Sequence, residues 1–295
     1  MIHFPTRLED VGEGEIRAGG SDLTDRQQRG IRTGPISDLR DLGGLDTLDV
    51  SASATIGARV RLAALARHPV LRQRYAGLAE AVGGLATPQI RAIATVGGAL
   101  LQRTRCSYYR DTTVSCFKRG GGECPARTGD SAHHAAVLQS PCYCVSPSTL
   151  AVALTAYDAT VRVVGGPSGP VAALYDGSDP TRDHQLPVGA VLVGVDVPAV
   201  GDERSAWLRI SARSRAEWPL VEIVARRGPG FHRLVVGGVA AVPLDLAPVA
   251  AAIDAGRAWE PVWRRMAATW QKNPAAAYKL ELVEAAVHSV LERLA

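Results

Sequence analysis

The five cysteines of this 295-residue chain all lie between Cys106 and Cys144. They fall within residues 103–147, a stretch rich in glycine, proline and polar residues that shows no clean helical or strand period. The segments on both sides of it are well patterned. Because a long stretch without an apolar period does not build its own core, something else must hold it, and the clustered cysteines are the first candidates.

Several explanations of the cysteine cluster compete on the residues alone. Disulfides are disfavoured in a reducing compartment, and thiols also occur simply as small buried side chains. Zinc sites commonly use tight Cys-x2-4-Cys pairs. Here nine residues separate Cys106 from Cys116, seven separate Cys116 from Cys124, and seventeen separate Cys124 from Cys142. Four thiolates can also hold a [4Fe-4S] cluster, so zinc is disfavoured and the spacing leaves the choice open.

The chain is long enough for two or three compact units, and its pattern predicts an α+β fold. We expect an N-terminal unit at residues 1–48, a middle unit at 49–170 that carries the cysteine segment 103–147 as an insertion, and a C-terminal unit at 185–295. Residues 165–188 are the best linker candidate.

Within these units, apolar residues recur at roughly helical spacing from Leu62 to Val82, with Pro69 dividing two helices. Valine-rich strands are predicted at 160–164 and 190–197. In the last unit we expect strands at 209–224 and 231–241 and an amphipathic helix at 276–294.

Composition and charge disfavour several functional classes. No apolar run approaches the roughly 20 residues that span a bilayer, so we expect no membrane partner. The first 20 residues carry acidic side chains where a secretory signal needs an apolar stretch, which predicts a cytoplasmic location. Arginines interleave with aromatic residues at 102–119 as they do in nucleic-acid sites. Positive charge beside an anionic cofactor explains them more economically, so we expect no nucleic-acid partner.

Two glycine pairs mark places where the backbone can approach a ligand closely. The first is Ala18-Gly19-Gly20-Ser21-Asp22-Leu23, and the second is Thr95-Val96-Gly97-Gly98-Ala99. Taken alone, the first pair is better explained by an ordinary tight turn. Together they are more specific.

With the cysteine segment, these motifs resemble the FAD-binding subunits of the xanthine dehydrogenase family of molybdenum hydroxylases. The stretches GGALLQRTRCSYYRDTTVSCFKRGGGECPARTGDSAHHAAV and SPCYCVSPSTLAVALTAYDA are most similar to the branch with an additional [4Fe-4S] cluster, typified by the periplasmic-type aldehyde oxidoreductases. The resemblance covers nearly the whole chain. It implies a two-part PCMH-type FAD-binding domain followed by a C-terminal domain of the CO dehydrogenase flavoprotein type.

The resemblance also implies roles for individual residues. The two glycine motifs would contact FAD, with Ala18, Gly19, Gly20, Ser21, Asp22 and Leu23 in the first and Thr95, Gly97, Gly98 and Ala99 in the second. The ligands of the [4Fe-4S] cluster would be Cys106, Cys116, Cys124 and Cys142, with Cys144 a buried neighbour. His133 and His134 are alternative ligands, although a structural hydrogen bond is the expected role of His134.

Two positions depart from the family pattern around the flavin, and a third keeps a basic residue there. Ala99 stands where the family usually has Asn, and Thr149 stands where it has an Asp that hydrogen-bonds the flavin side chain. Losing two such bonds would weaken FAD binding by about 1–3 kcal/mol each. Arg209 takes the place of a Lys beside the flavin, where a cation would stabilise the reduced, anionic form; a surface charge on a strand is its alternative role.

The leading functional hypothesis is an electron-transfer oxidoreductase subunit. A partner with molybdenum cofactor and a [2Fe-2S] partner would supply electrons that this chain delivers to an acceptor. One alternative is a stand-alone flavin and iron-sulfur oxidoreductase of a biosynthetic pathway, with Tyr108, Tyr109 or Arg110 facing a small-molecule substrate. Another is a scaffold that keeps the cluster and has lost FAD.

Overall fold

The computed structural model describes residues 1–31, 34–214 and 216–295. These residues form an α+β fold with three sheets, of three, five and four strands. Among them, no helix is both long enough and apolar enough to cross a bilayer.

The N-terminal unit is a small parallel sheet. It contains β1 (Ile2–His3), β2 (Glu15–Arg17), helix α1 (Leu23–Gln28) and β3 (Ile36–Asp38), with β3 between the other two strands. The first glycine motif begins directly after β2 and ends at the start of α1. Its position therefore follows from the strand that precedes it.

The middle unit packs helices on a five-stranded antiparallel sheet. The strands are β4 (Leu48–Val50), β5 (Ala54–Gly57), β6 (Thr160–Val164), β7 (Gly169–Pro170) and β8 (Val191–Val197), in the order β4-β5-β8-β6-β7. The helices before the cysteine segment are α2 (Leu62–Arg67), α3 (Pro69–Arg74), α4 (Ala76–Gly84), α5 (Pro88–Ile93) and α6 (Val96–Leu100). Pro69 separates α2 from α3 as predicted, because proline is tolerated in the first turn of a helix and not in its interior.

The cysteine segment has little regular structure. It contains α7 (Ser107–Arg110) and two short 3-10 helices, Phe117–Arg119 and Pro125–Arg127, before α8 (Thr149–Ala156) returns the chain to the core. Backbone bonds tie its later part to the C-terminal unit, among them Val137 N to Val239 O and Leu138 N to Gln271 O. The segment is thus held from outside, as its sequence indicated.

The predicted boundary at residue 185 differs from the pairing of the strands. Strand β8 hydrogen-bonds to β5 and β6, so residues 191–197 belong to the middle sheet. The stretch 165–188 is also more than a linker, because it contains β7 and buries Val171 in the core of the middle unit. The other domain bounds stay predictions.

The C-terminal unit is an antiparallel sheet covered by helices. Its strands are β9 (Arg204–Ile210), β10 (Val221–Gly228), β11 (Phe231–Gly237) and β12 (Leu244–Asp245), in the order β12-β11-β10-β9. Its helices are α9 (Ala247–Asp254), α10 (Glu260–Ala268) and α11 (Tyr278–Leu294). Helix α11 buries Val283, Val287 and Val290 against the sheet, which confirms the predicted amphipathic helix.

A single strand at 209–224 was the wrong prediction. These residues span the end of β9, a polar connection and the start of β10. The two apolar ends share one alternation pattern, which hid the turn between them.

Candidate functional site

The two glycine motifs, distant in sequence, line one cavity of about 330 Å³. The first motif forms one wall and the start of α6 forms another. A third wall comes from residues 181–184 and 186–192, which lead into β8. The predicted contacts that line the cavity are Ala18, Gly19, Gly20, Ser21, Asp22, Leu23, Thr95, Gly97 and Gly98.

The first motif needs its glycines for reasons of space and conformation. Gly20 has a φ of +75°, a conformation that glycine adopts without strain. A Cβ placed on Gly19 would lie 2.0 Å from the carbonyl oxygen of Ile93, which is far inside contact distance. The turn is therefore pressed against the end of α5, and its bare backbone faces the cavity.

The carboxylate of Asp22 forms hydrogen bonds with other parts of the protein. It accepts hydrogen bonds from Arg110 Nη2 at 2.7 Å, from Arg26 Nε at 3.2 Å and from the backbone nitrogen of Arg103 at 3.2 Å. The bonds from Arg103 and Arg110 join the turn to the start of the cysteine segment. The side chain of Asp22 is thus occupied by protein partners.

The second motif starts a helix. The hydroxyl of Thr95 caps α6 by accepting a bond from Gly98 N at 3.3 Å, and Gly97 N donates to Ala58 O at 2.8 Å. Ala99 lies outside the lining of the cavity and is buried, with its carbonyl accepting a bond from Ser148 Oγ at 2.8 Å. The predicted contact at Ala99 is therefore not part of this cavity.

Thr149 and Arg209, also outside the cavity lining, meet each other in the core. Arg209 Nη2 donates to Thr149 Oγ1 at 2.9 Å and lies 3.3 Å from Glu222 Oε2. Trp207 Nε1 also donates to Glu222, and burial raises the pKa of that carboxyl above its ordinary value despite the nearby guanidinium. Sequence reasoning missed Glu222, although an acidic residue within the otherwise apolar run 221–225 was a signal.

The wall at residues 181–192 was also missed. Its Asp183 carboxylate lies between two cations, Arg103 and Lys118. Burial alone would raise the pKa of Asp183, but the attraction of these cations outweighs it and lowers the pKa. Burial lowers the pKa of the neighbouring His184 to about 4, so its ring is neutral at pH 7. The run of five polar residues at 181–185 before an apolar strand was the available signal.

Two observations indicate that the cavity fits an FAD group. The glycine backbone at residues 19 and 20 is exposed to it without side chains, which suits a pyrophosphate. His184 Nδ1 is buried without a hydrogen-bond partner in the part of the chain that the structure describes. A buried polar atom of this kind is satisfied by a bound polar ligand.

The cysteine thiols lie near one another. Cys116, Cys124, Cys142 and Cys144 are buried, and Cys106 is half-buried beside Cys116. The pKa of Cys106 is raised by burial first and by Cys116 and Cys124 in addition. The pKa of Cys124 is raised first by its hydrogen bond to Cys142 and then by burial. The four predicted ligands are therefore brought close to one another.

These thiols do not form a ready-made metal centre. Across residues 1–31, 34–214 and 216–295, no three His, Cys, Asp or Glu side chains are arranged to hold a metal ion together. Cys106 Sγ instead contacts His134 Nε2 at 3.2 Å, while the side chain of His133 is exposed. The chemistry of the donor set fits a thiolate-bound cluster, and its arrangement here is one of pairwise contacts.

Comparison with known proteins identifies the family. The profile described as the FAD binding domain in molybdopterin dehydrogenase matches residues 7–200. The chain belongs to that family. It is 32% identical over 287 residues to the aldehyde oxidoreductase FAD-binding subunit PaoB of Escherichia coli strain K12, covering 93% of this chain and 89% of that protein.

Solved structures share the fold. Carbon monoxide dehydrogenase from Hydrogenophaga pseudoflava, in a form that lacks the Mo-pyranopterin moiety, matches with a TM-score of 0.71 and 18% identity over 99% of this chain and 96% of that chain. Quinoline 2-oxidoreductase from Pseudomonas putida 86 matches with a TM-score of 0.69 and 17% identity over 99% and 95%. The predicted α+β PCMH-type fold is confirmed, and so is an FAD-binding oxidoreductase subunit of the molybdenum hydroxylase type.

Proposed function

We propose that this chain binds FAD and a [4Fe-4S] cluster and passes electrons from a molybdenum-cofactor partner to an acceptor. The observation that carries the proposal is the continuity of the two sites. Arg103 lines the cavity of the glycine motifs, and Cys106, three residues later, begins the group of thiols.

FAD would occupy the cavity between the three walls. The backbone of Gly19 and Gly20 would receive the pyrophosphate, and the start of α6 at Thr95 to Gly98 would contact the nucleotide. FAD supplies a centre that accepts and releases electrons in one- or two-electron steps. Thr149, Arg209 and Glu222 lie outside the lining of this cavity, and the guanidinium of Arg209 is already paired with Glu222, so the role of Arg209 beside the flavin stays a prediction.

Cys106, Cys116, Cys124 and Cys142 would hold the cluster through their thiolates, with Cys144 as a bystander. His134 would tune it. Burial lowers the pKa of His134 to about 4, so its ring is neutral at pH 7. With its proton on Nε2, the ring can donate a hydrogen bond to the sulfur of Cys106. Hydrogen bonds to the sulfurs are one of the main controls of cluster potential.

The proposed electron transfer requires partner subunits that supply the electrons. Substrate oxidation at a molybdenum subunit would release two electrons, which would pass through a [2Fe-2S] subunit, reduce the cofactors of this chain and finally reduce an external acceptor. The E. coli relative is named as a subunit of an aldehyde oxidoreductase, and its 32% identity supports a multi-subunit enzyme for this chain as well. Co-purification with chains that carry molybdenum and a [2Fe-2S] cluster tests this assembly.

The cofactor content is tested by assaying iron, sulfide, zinc and flavin on the purified chain and on two matched variants. We expect one FAD and about four irons per chain, loss of iron in Cys142→Ala, and unchanged iron in Cys144→Ala. Four irons without flavin would refute the flavin part. Zinc in place of iron, or full iron in Cys142→Ala, would refute the cluster assignment.

A further inference from the structure

Lys118 connects the cysteine segment to the cavity wall. It lies between Cys116 and Cys124, and its side chain is 2% exposed. Its Nζ lies 3.1 Å from Asp183 Oδ1 and also donates to the carbonyl oxygen of Arg182. Both of these partners line the cavity. A lysine of the thiol-bearing segment is therefore anchored on the wall formed by residues 181–192.

Asp183 completes the connection from the other side. Its carboxylate is 4% exposed, and Oδ2 accepts a bond from Arg103 Nε at 2.5 Å. Arg103 Nη2 lies within 3.4 Å of the carbonyl oxygen of Lys118, and its backbone nitrogen donates to Asp22 in the first glycine motif. One buried carboxylate thus joins two walls of the cavity to the cysteine segment.

Such an arrangement transmits position, because a buried charge tolerates the loss of its partner poorly. Lys118 is therefore one of two cations, with Arg103, that hold Asp183 and the wall at 181–184 in place. Lys118 sits in a short 3-10 helix, Phe117–Arg119, between Cys116 and the three glycines at 120–122, with no strand or long helix of its own to hold it. Its position therefore depends on its bonds to Arg182 and Asp183 and on the conformation of the segment that carries the thiols.

We infer that Asp183 is a positioning residue through which the occupied cysteine site holds the FAD cavity in its binding shape. FAD affinity then depends on the cluster, although the two groups occupy separate sites. The inference rests on the proposed function, because it requires that both groups bind. It adds that binding of the cluster changes the affinity for FAD, which the presence of two separate sites does not require.

The test compares the FAD dissociation constant of the full chain before and after removal of iron by a chelator and oxidant. Binding is followed by quenching of FAD fluorescence, and iron is assayed in each sample. We expect removal of iron to weaken FAD binding about tenfold or more in the native chain. In Lys118→Met, FAD should bind weakly already, and iron removal should change its affinity by less than about threefold.

Lys118→Met leaves Asp183 paired with Arg103, so the variant keeps a partner for the buried carboxylate. Lys272→Met is the matched control, since Lys272 is exposed, and it should behave as the native chain does. Should Lys118→Met fail to fold or to load iron, Asp183→Asn breaks the same link from the cavity side and should show the same loss of dependence.

The inference is overturned if the native chain binds FAD equally well with and without iron, or if both variants keep the native dependence on iron. A chain that binds no FAD or no iron at all would instead refute the proposed function. The two failures are therefore distinguishable in one set of titrations.

Discussion

Replacing Lys279 by methionine should destabilise the chain substantially. Lys279 is fully buried in the first turn of α11 and donates to three carbonyl oxygens, those of His133 at 3.1 Å, His134 at 2.9 Å and Gly238 at 3.0 Å. The first turn of a helix is an unfavourable place for a cation, so these three bonds are what holds the ammonium there. Methionine keeps the apolar stem and removes all three donors.

The magnitude follows from two opposing effects. Hydrogen bonds from a charged donor contribute about 1.5–3 kcal/mol each, so losing three of them removes about 6 kcal/mol. Burial lowers the pKa of Lys279 from 10.5 to about 8. That shift corresponds to a desolvation cost of about 3 kcal/mol, which methionine does not incur. We therefore expect Lys279→Met to lower the free energy of unfolding by about 3 kcal/mol.

Urea unfolding followed by tryptophan fluorescence measures this loss, because Trp259 and Trp263 share a buried cluster with α11. The matched control is Lys272→Met, which changes an exposed lysine of the same chain and should alter stability by no more than about 0.5 kcal/mol. A loss of less than about 1 kcal/mol in Lys279→Met would show that the three carbonyls find other donors and would refute the reasoning.

Two further predictions concern the cavity. Gly19→Ala should lower FAD affinity more than about tenfold in a fluorescence titration, because its Cβ would meet the backbone of Ile93. Gly43→Ala, with open space around it, should leave affinity unchanged, and equal effects of the two would contradict the argument. The pKa of His184 falls from 6.5 to about 4 on folding, so the unfolded chain takes up the proton first as pH drops through this window. His184 should therefore contribute a loss of stability of about 3 kcal/mol between pH 6.5 and 4, and His184→Gln should reduce the slope of stability against pH across the window, whereas an unchanged slope would contradict this contribution.

The glycine motifs could be placed from sequence because their signal is local. Gly19 and Gly20 lie in a turn directly after a strand, and Thr95 caps a helix, so neighbouring residues fix their geometry. Pro69 was predictable for the same reason. The meeting of the two motifs at one cavity was implied by resemblance and not by any pattern within the chain.

The third wall could not be predicted, because it depends on contacts between distant residues. Asp183 is positioned by Arg103 and Lys118, and no periodicity connects these residues. Arg209 and Glu222 were separated by a connection that the strand pattern concealed, and their contact with Thr149 is likewise non-local. The sequence pattern identified individual residues, whereas the contacts between buried charged residues could be seen only in the folded structure.

The chain has three lysines, and the fold buries two of them: Lys118 of the cysteine segment against the cavity wall, and Lys279 of α11 against the cysteine segment. Amine-reactive reagents should therefore modify the side chain of Lys272 in the folded protein and spare Lys118 and Lys279. Mass spectrometry of labelled peptides then reports on the segment with an internal reference, since modification at Lys118 would indicate movement away from the cavity wall. Modification at Lys279 would indicate that the part of the cysteine segment around His133 and His134 has separated from helix α11. The contacts of the segment with the cavity wall and with α11 can therefore be followed independently in one sample.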